Sequence, residues 1–205
     1  MAPRTKFTKE QIVDAAFEIA RTEGVDSITI RKVAEKLGSS IAPIYVNFKE
    51  AGELVEEVYK KTFEVSRQIL MEQNSGNPFR DIGVASIRFA REYPVLFRDL
   101  VMKKNDQAKQ NEEETLGFIK MMRMDPDLNG LSDDELLTIL LKMKIFQVGM
   151  SVMVANELLP GDFTEEQMIQ LMSSAAEDVI GTAKRRAEQQ SLRGDVRNVS
   201  GKKKD

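Results

Sequence analysis

The residues best suited to chemistry lie between Thr29 and Phe48, in the run TIRKVAEKLGSSIAPIYVNF. Thr29, Ser39, Ser40, Tyr45 and Asn47 bring hydroxyl and amide groups. Arg31, Lys32 and Lys49 bring positive charge, and Ala42 and Pro43 bring small apolar surface. This mixture suits contact with a nucleic-acid duplex better than bond making. Asn pairs bidentately with adenine, and small apolar groups meet the thymine methyl. Cations and hydroxyls hold phosphate, which sets register without reading sequence. Ser39, Ser40, Ala42, Pro43 and Asn47 therefore form the candidate base-edge group. Thr29, Arg31, Lys32, Tyr45 and Lys49 form the candidate phosphate group. Ile44 and Phe48 are read as core.

Catalytic alternatives are poorly supplied. The 205 residues contain no His and no Cys. That removes the usual general base, every Ser-His-Asp or Cys-His arrangement, thiolate metal sites and disulfides. No catalytic residue, metal site or cofactor is expected. The N-terminal residues MAPRTKFTKE lack the apolar core of a signal peptide. The most apolar stretch, Leu136–Leu159, is interrupted by Lys142, Lys144, Gln147 and Asn156. It reads as a buried helix and not as a membrane span, so the chain is expected in the cytoplasm.

The elements that must position the 29–48 run are short helices. Before Gly38, the residues Val33, Ala34 and Leu37 recur at helical spacing, opposite Arg31, Lys32, Glu35 and Lys36. After it, Ser39 and Ser40 can cap a new helix in which Ile41, Ile44 and Tyr45 turn inward. Gly38 permits the left-handed backbone that ends a helix sharply. The unit is a helix-turn-helix.

Three helix starts repeat one device: Thr8 with Gln11, Ser132 with Glu135, and Thr164 with Gln167. Each pair spells a capping box, with a hydrophobic residue just before it. The pattern predicts a first helix from about Lys9 to Glu23 and a fourth from near Lys49 into the low seventies. A fifth runs from Phe79 to Tyr93, capped by Asn77-Pro78, then a short Val95–Met102 helix and one from near Asp106 to Met124. Two long helices, Asp133–Leu158 and Glu165–Gln189, complete an all-α chain with no β alternation. Residues 1–50 are the expected DNA-binding head, 51–190 a helical ligand-binding and dimerisation body, and 191–205 a polar basic tail that frays.

Charge follows this division. Residues 1–50 hold eight Lys/Arg against seven Asp/Glu, and residues 182–205 hold eight against three. The intervening body holds 14 against 23. A neutral-to-basic head on an acidic body suits a DNA-binding unit whose body stays off the duplex. Arg4 and Lys6 form a short basic arm that can reach the DNA backbone.

Residues 7–59 resemble the DNA-binding head of the TetR/AcrR (tetracycline-repressor-like) transcriptional regulators. The likeness is carried by IVDAAFEIARTEG, ITIRKVAEKLG and IYVNF. The rest matches in pattern, with REYPVLF before the sixth helix and two long terminal helices. One position departs: three residues after Phe48, where such proteins commonly carry a lysine, this chain has Ala51, followed by Gly52.

The resemblance implies a homodimer that binds a palindromic DNA operator and is released by a small-molecule effector. The heads of such a dimer sit about 34–36 Å apart, or a multiple of that. Met168, Met172, Ala175, Val179 and Thr182 alternate four and three apart, a coiled-coil-like seam expected at the dimer interface. An effector cavity is expected among helices five to eight. Its candidate walls are Phe89, Tyr93, Phe97, Phe118, Met121, Met122, Met143, Phe146 and Met150, which suit an apolar or aromatic ligand. The alternative is a helical ligand-binding or scaffold protein with a weakened DNA-binding head.

Overall fold

In the computed structural model the described residues are 7–102 and 112–201, and among them every regular element is helical. The helices are α1 Lys9–Glu23, α2 Ile30–Lys36, α3 Ala42–Tyr45, α4 Ala51–Met71 and α5 Pro78–Glu92. They continue with α6 Pro94–Met102, α7 Glu112–Met122, α8 Asp133–Ala155 and α9 Glu165–Gly201. The all-α expectation holds.

The local signals act as the residue types demand. Thr8 Oγ1 accepts the Gln11 N–H at 3.2 Å while Gln11 Oε1 accepts the Thr8 N–H at 2.9 Å. Ser132 with Glu135 closes the same box at α8, and Thr164 with Gln167 closes it at α9. Asn77 Oδ1 accepts the Arg80 N–H at 3.0 Å and caps α5, whose first residue is Pro78. Each box satisfies donors that a helix start leaves orphaned.

The described residues form two compact units. The first takes the chain up to Gln73, the part beginning at Val84, and Ser151–Pro160. The second takes Asn74–Gly83, the part ending at Met150, and the chain from Gly161 onward. The first unit thus extends well past residue 50. Leu54 and Val58 of α4 are fully buried in one core with Ile12, Ala16 and Ala20 of α1, Val33 of α2 and Ile44 of α3. Phe89, Ala90, Leu96 and Phe97 complete that core from α5 and α6. In the second unit, Ile119, Met122, Leu128, Leu131, Leu136, Ile139, Leu140 and Met143 form a separate cluster, flanked by Ala175, Ala176, Val179 and Ile180 of α9.

Three local expectations are corrected. Ser39 and Ser40 do not cap the second helix of the pair: Ile41 stands at the N-cap with no side-chain bond. With only four residues, α3 makes a single turn and buries one position, Ile44, leaving Ile41 47% and Tyr45 51% exposed. The last helix also runs past its expected end at Gln189, because α9 continues to Gly201. Extending a helix that is already nucleated costs far less than starting one, so a packed apolar start carries the backbone on. The expected seventh helix begins in residues outside those described, as do Arg4 and Lys6.

Candidate nucleic-acid interface

Gly38 makes the turn on which the interface depends. Its φ is +59°, its N–H donates to Glu35 O at 3.0 Å, and the Ser39 N–H donates to Ala34 O at 2.9 Å. These two bonds are the Schellman closure of a helix C-terminus, which needs a left-handed residue at the glycine position. The other end of α2 is held by Thr29, whose Oγ1 accepts the Lys32 N–H at 3.1 Å. Both ends of α2 are therefore fixed by local bonds. Val33 and Ala34 bury its inner face, and Ile44 and Phe48 seat the following turn at 0% and 2% exposure. Ile44 and Phe48 are core, as read from the sequence.

The remaining candidate residues gather along this one edge. Thr29, Arg31, Lys32, Ser40, Ala42, Tyr45 and Lys49 are exposed, while Ser39, Pro43 and Asn47 are half-buried. Asn47 is partly engaged: its amide donates to Pro43 O at 3.3 Å. The Ser39 hydroxyl is shielded from solvent and has no hydrogen-bond partner among the described residues. Two apolar residues left out of the candidate groups also stand on this edge: Ile41, and Val46 at 68% exposure. Their signal was the one-turn length of α3, which leaves too few positions for a second inward residue.

Acidic groups temper the positive charge. Lys32 Nζ lies 2.6 Å from Glu23 Oε2 on α1. At the start of α4, Glu53 Oε2 accepts the Lys49 N–H at 2.7 Å. That amide lies one residue before the N-cap Glu50, so a carboxylate stands beside the helix start where a phosphate would approach. Farther along α4, Glu57 contacts Lys60 at 2.9 Å and Lys9 at 3.2 Å. The hydrogen bond from Lys60 leads in holding the Glu57 carboxyl below the ordinary range, with Lys9 adding to it.

The candidate effector walls fall into both cores. In the first unit Phe89 stacks on Tyr93 at 5.5 Å between centroids, and Tyr93 meets Phe17 of α1 at 6.2 Å. Phe97 sits edge-on to Phe89 at 6.5 Å. In the second unit Met122 and Met143 are buried and Phe118 packs against them. Also in that unit, Met150 is buried, and Met121 and Phe146 are half-buried.

Several residues of the seam expected at a dimer interface are covered within the single chain. Met168 and Met172 are buried, and Ala175 and Val179 pack on the second core. Thr182 accepts a hydrogen bond from Arg185 at 3.1 Å. An outward apolar stripe lies on α8, where Leu141, Ile145 and Gly149 follow four apart and all are exposed. By length and composition α8 is also the one helix among the described residues apolar enough to cross a membrane. Three acidic residues fill its first turn, and Lys142 on it is exposed.

No family model matches the chain. An uncharacterised helix-turn-helix-type transcriptional regulator, YvkB of Bacillus subtilis, is 25% identical over 128 residues, which cover 56% of this chain and 67% of that protein. The helix-turn-helix-type transcriptional repressor DrrR1 of Streptomyces coeruleorubidus is 26% identical over 161 residues, covering 72% of this chain and 53% of that one. The chain thus spans about half to two thirds of the length of the curated relatives it matches. Among solved structures, SCO7222, a TetR regulator from Streptomyces coelicolor, superposes with a TM-score of 0.65 at 16% identity, over 85% of this chain and 98% of that one. A TetR variant of Acinetobacter baumannii AYE, solved in complex with minocycline, has a TM-score of 0.57 at 17% identity, over 89% and 99%. The helix-turn-helix head and helical body are the TetR-type fold, and the relatives are transcriptional regulators, not enzymes.

Proposed function

We infer that this chain, which has a TetR-type fold and helix-turn-helix-type transcriptional regulators among its relatives, is a cytoplasmic repressor. It binds a palindromic operator as a homodimer and leaves it when a small apolar or aromatic molecule binds. The observation that carries the reading is the exposed edge from Thr29 to Lys49, set on a helix pair whose turn and start are both closed by local hydrogen bonds. A rigid, solvent-facing element of this size fits the major groove.

One head offers few contacts, so useful affinity requires two. The stripe Leu141, Ile145 and Gly149 supports self-association through α8, because exposed apolar residues at regular helical spacing mark a contact surface. The methionines and Phe118 of the second unit support an apolar or aromatic effector, since thioethers adapt to varied shapes. The minocycline complex of a protein with this fold points the same way. A ligand can release DNA only if it binds the two conformations unequally.

The test is a mobility shift on the DNA flanking the gene, against random duplex, across a salt series. Specific, salt-dependent retardation that Tyr45→Ala weakens supports the reading, and equal binding to both duplexes overturns it. A second reading has its own observation: Ala51 stands where a phosphate-binding lysine is common, and the Glu53 carboxylate accepts the Lys49 N–H beside the start of α4. Ligand binding without sequence-specific DNA binding would favour that helical ligand-binding or scaffold protein.

A further inference from the structure

From Leu37 to Phe48 the chain carries no charged side chain. This is the stretch that would lie in the groove, so its chemistry sets which bases can be read. Guanine is read chiefly by Arg or Lys at its O6 and N7, and cytosine by a carboxylate that accepts from its amino group. Neither type is available here. What the element does expose is apolar. Ile41 and Tyr45 lie four apart around the single turn, as do Ala42 and Val46, and all four are exposed. Ile41 is 47% and Val46 68% exposed, although Ile44 and Phe48 on the opposite face are buried. Exposed branched aliphatics on a one-turn helix bring no stability to the free protein. Their value lies in what they meet.

We propose that this face reads thymine, with Ile41, Ala42 and Val46 packing on the 5-methyl groups of an A/T-rich operator half-site. The proposal rests on the DNA-binding reading above and adds the base class. Exposed cations flank this element: Arg31 and Lys36 on α2 and Lys49 beyond the end of α3 carry the sign needed along the phosphate edges of a groove. The thymine methyl is the one apolar group a base pair presents in the major groove. Asn47 reinforces the same bias, because its amide is suited to adenine. Its bond to Pro43 O holds it half-buried beside the apolar face.

The experiment uses the full chain and duplexes selected from a random library for tight binding. Each thymine of the selected half-site is replaced in turn by deoxyuridine, which lacks only the methyl group, and affinity is read by fluorescence anisotropy at fixed salt. Loss of a buried methyl contact should weaken binding about three- to ten-fold at the contacted positions. Val46→Ala and Ile41→Ala should weaken binding to the thymine duplex and erase the difference between thymine and deoxyuridine at their own positions. Both residues are exposed, so the melting curves of the variants should match the parent. The proposal is overturned if uridine duplexes bind as tightly as thymine duplexes at every position, or if G·C pairs dominate the selected half-site. Selection that yields no preferred sequence would instead defeat the DNA-binding reading itself.

Discussion

Asp99 of α6 and Val25, just past the end of α1, are joined by a buried hydrogen bond: the carboxylate Oδ2 accepts the Val25 N–H at 2.6 Å across 74 positions of sequence. Gly24 makes the approach possible. Its φ of +89° with ψ of 160° is backbone that only glycine adopts easily, and a Cβ there would lie 3.1 Å from the same oxygen. The helix that opens the head and the helix that follows Pro94 are thereby tied at one point. Asp99→Ala should destabilise the fold by about 1–3 kcal/mol, because a buried N–H loses its acceptor. Asp99→Asn, which keeps a carbonyl oxygen, should cost less. Gly24→Ala should cost about 1–3 kcal/mol through backbone strain. Denaturant unfolding at neutral pH measures all three.

Adjacent residues in α3 should separate stability from recognition. Ile44 is fully buried, so Ile44→Ala should cost about 2–5 kcal/mol in unfolding free energy. Tyr45 is half exposed, and Tyr45→Ala should leave the melting curve nearly unchanged while weakening DNA binding. If both variants lose stability equally, Tyr45 belongs to the core.

Glu23 should restrain DNA binding. Its carboxylate holds Lys32 at 2.6 Å, on a surface where such a pair adds little stability. Glu23→Gln should free that cation for phosphate. The slope of log affinity against log salt should steepen by about one, as for one additional phosphate contact. An unchanged slope would show that Lys32 does not reach the duplex.

The start of α8 should be sensitive to acid. The backbone N–H of Ser132, with its hydroxyl, donates to Glu135 and holds its carboxyl below the ordinary range. A carboxyl depressed in the folded state contributes stability at neutral pH, and that contribution is lost as pH falls through the depressed value. Glu135→Gln keeps a capping acceptor but cannot titrate. The stability gap between parent and variant should therefore shrink below about pH 4. Thermal melts of both across pH 3–7 check it.

Ile145 tests association. It is 74% exposed on the α8 stripe. Ile145→Asp should give a folded monomer by sedimentation, with operator affinity reduced at least ten-fold because two heads no longer bind together. A variant that stays dimeric would move the interface off this stripe.

The elements that could be read from sequence were those made by near neighbours. The three capping boxes and the glycine turn need only residues three to five apart, and each was found with the expected bonds. Ile41 was misread because apolar periodicity assumes a helix long enough to have an inner face. The methionine seam of α9 was recognised as an apolar stripe, but spacing says nothing about what a stripe meets. Within the single chain, Ala175 and Val179 of that stripe pack on the core that Leu136 and Ile139 of α8 help to form.

The chain by itself determined the all-helical class, the helix starts, the hinge at Gly38 and the absence of histidine and cysteine chemistry. All of these are local or compositional, and local bonds are encoded where they form. Tertiary structure alone decided that Ile41 and Val46 face outward, that Asp99 reaches Val25, and that the outward stripe of α8 is Leu141, Ile145 and Gly149. Burial is a competition among all surfaces for limited interior space, and that competition is settled only when distant segments have packed.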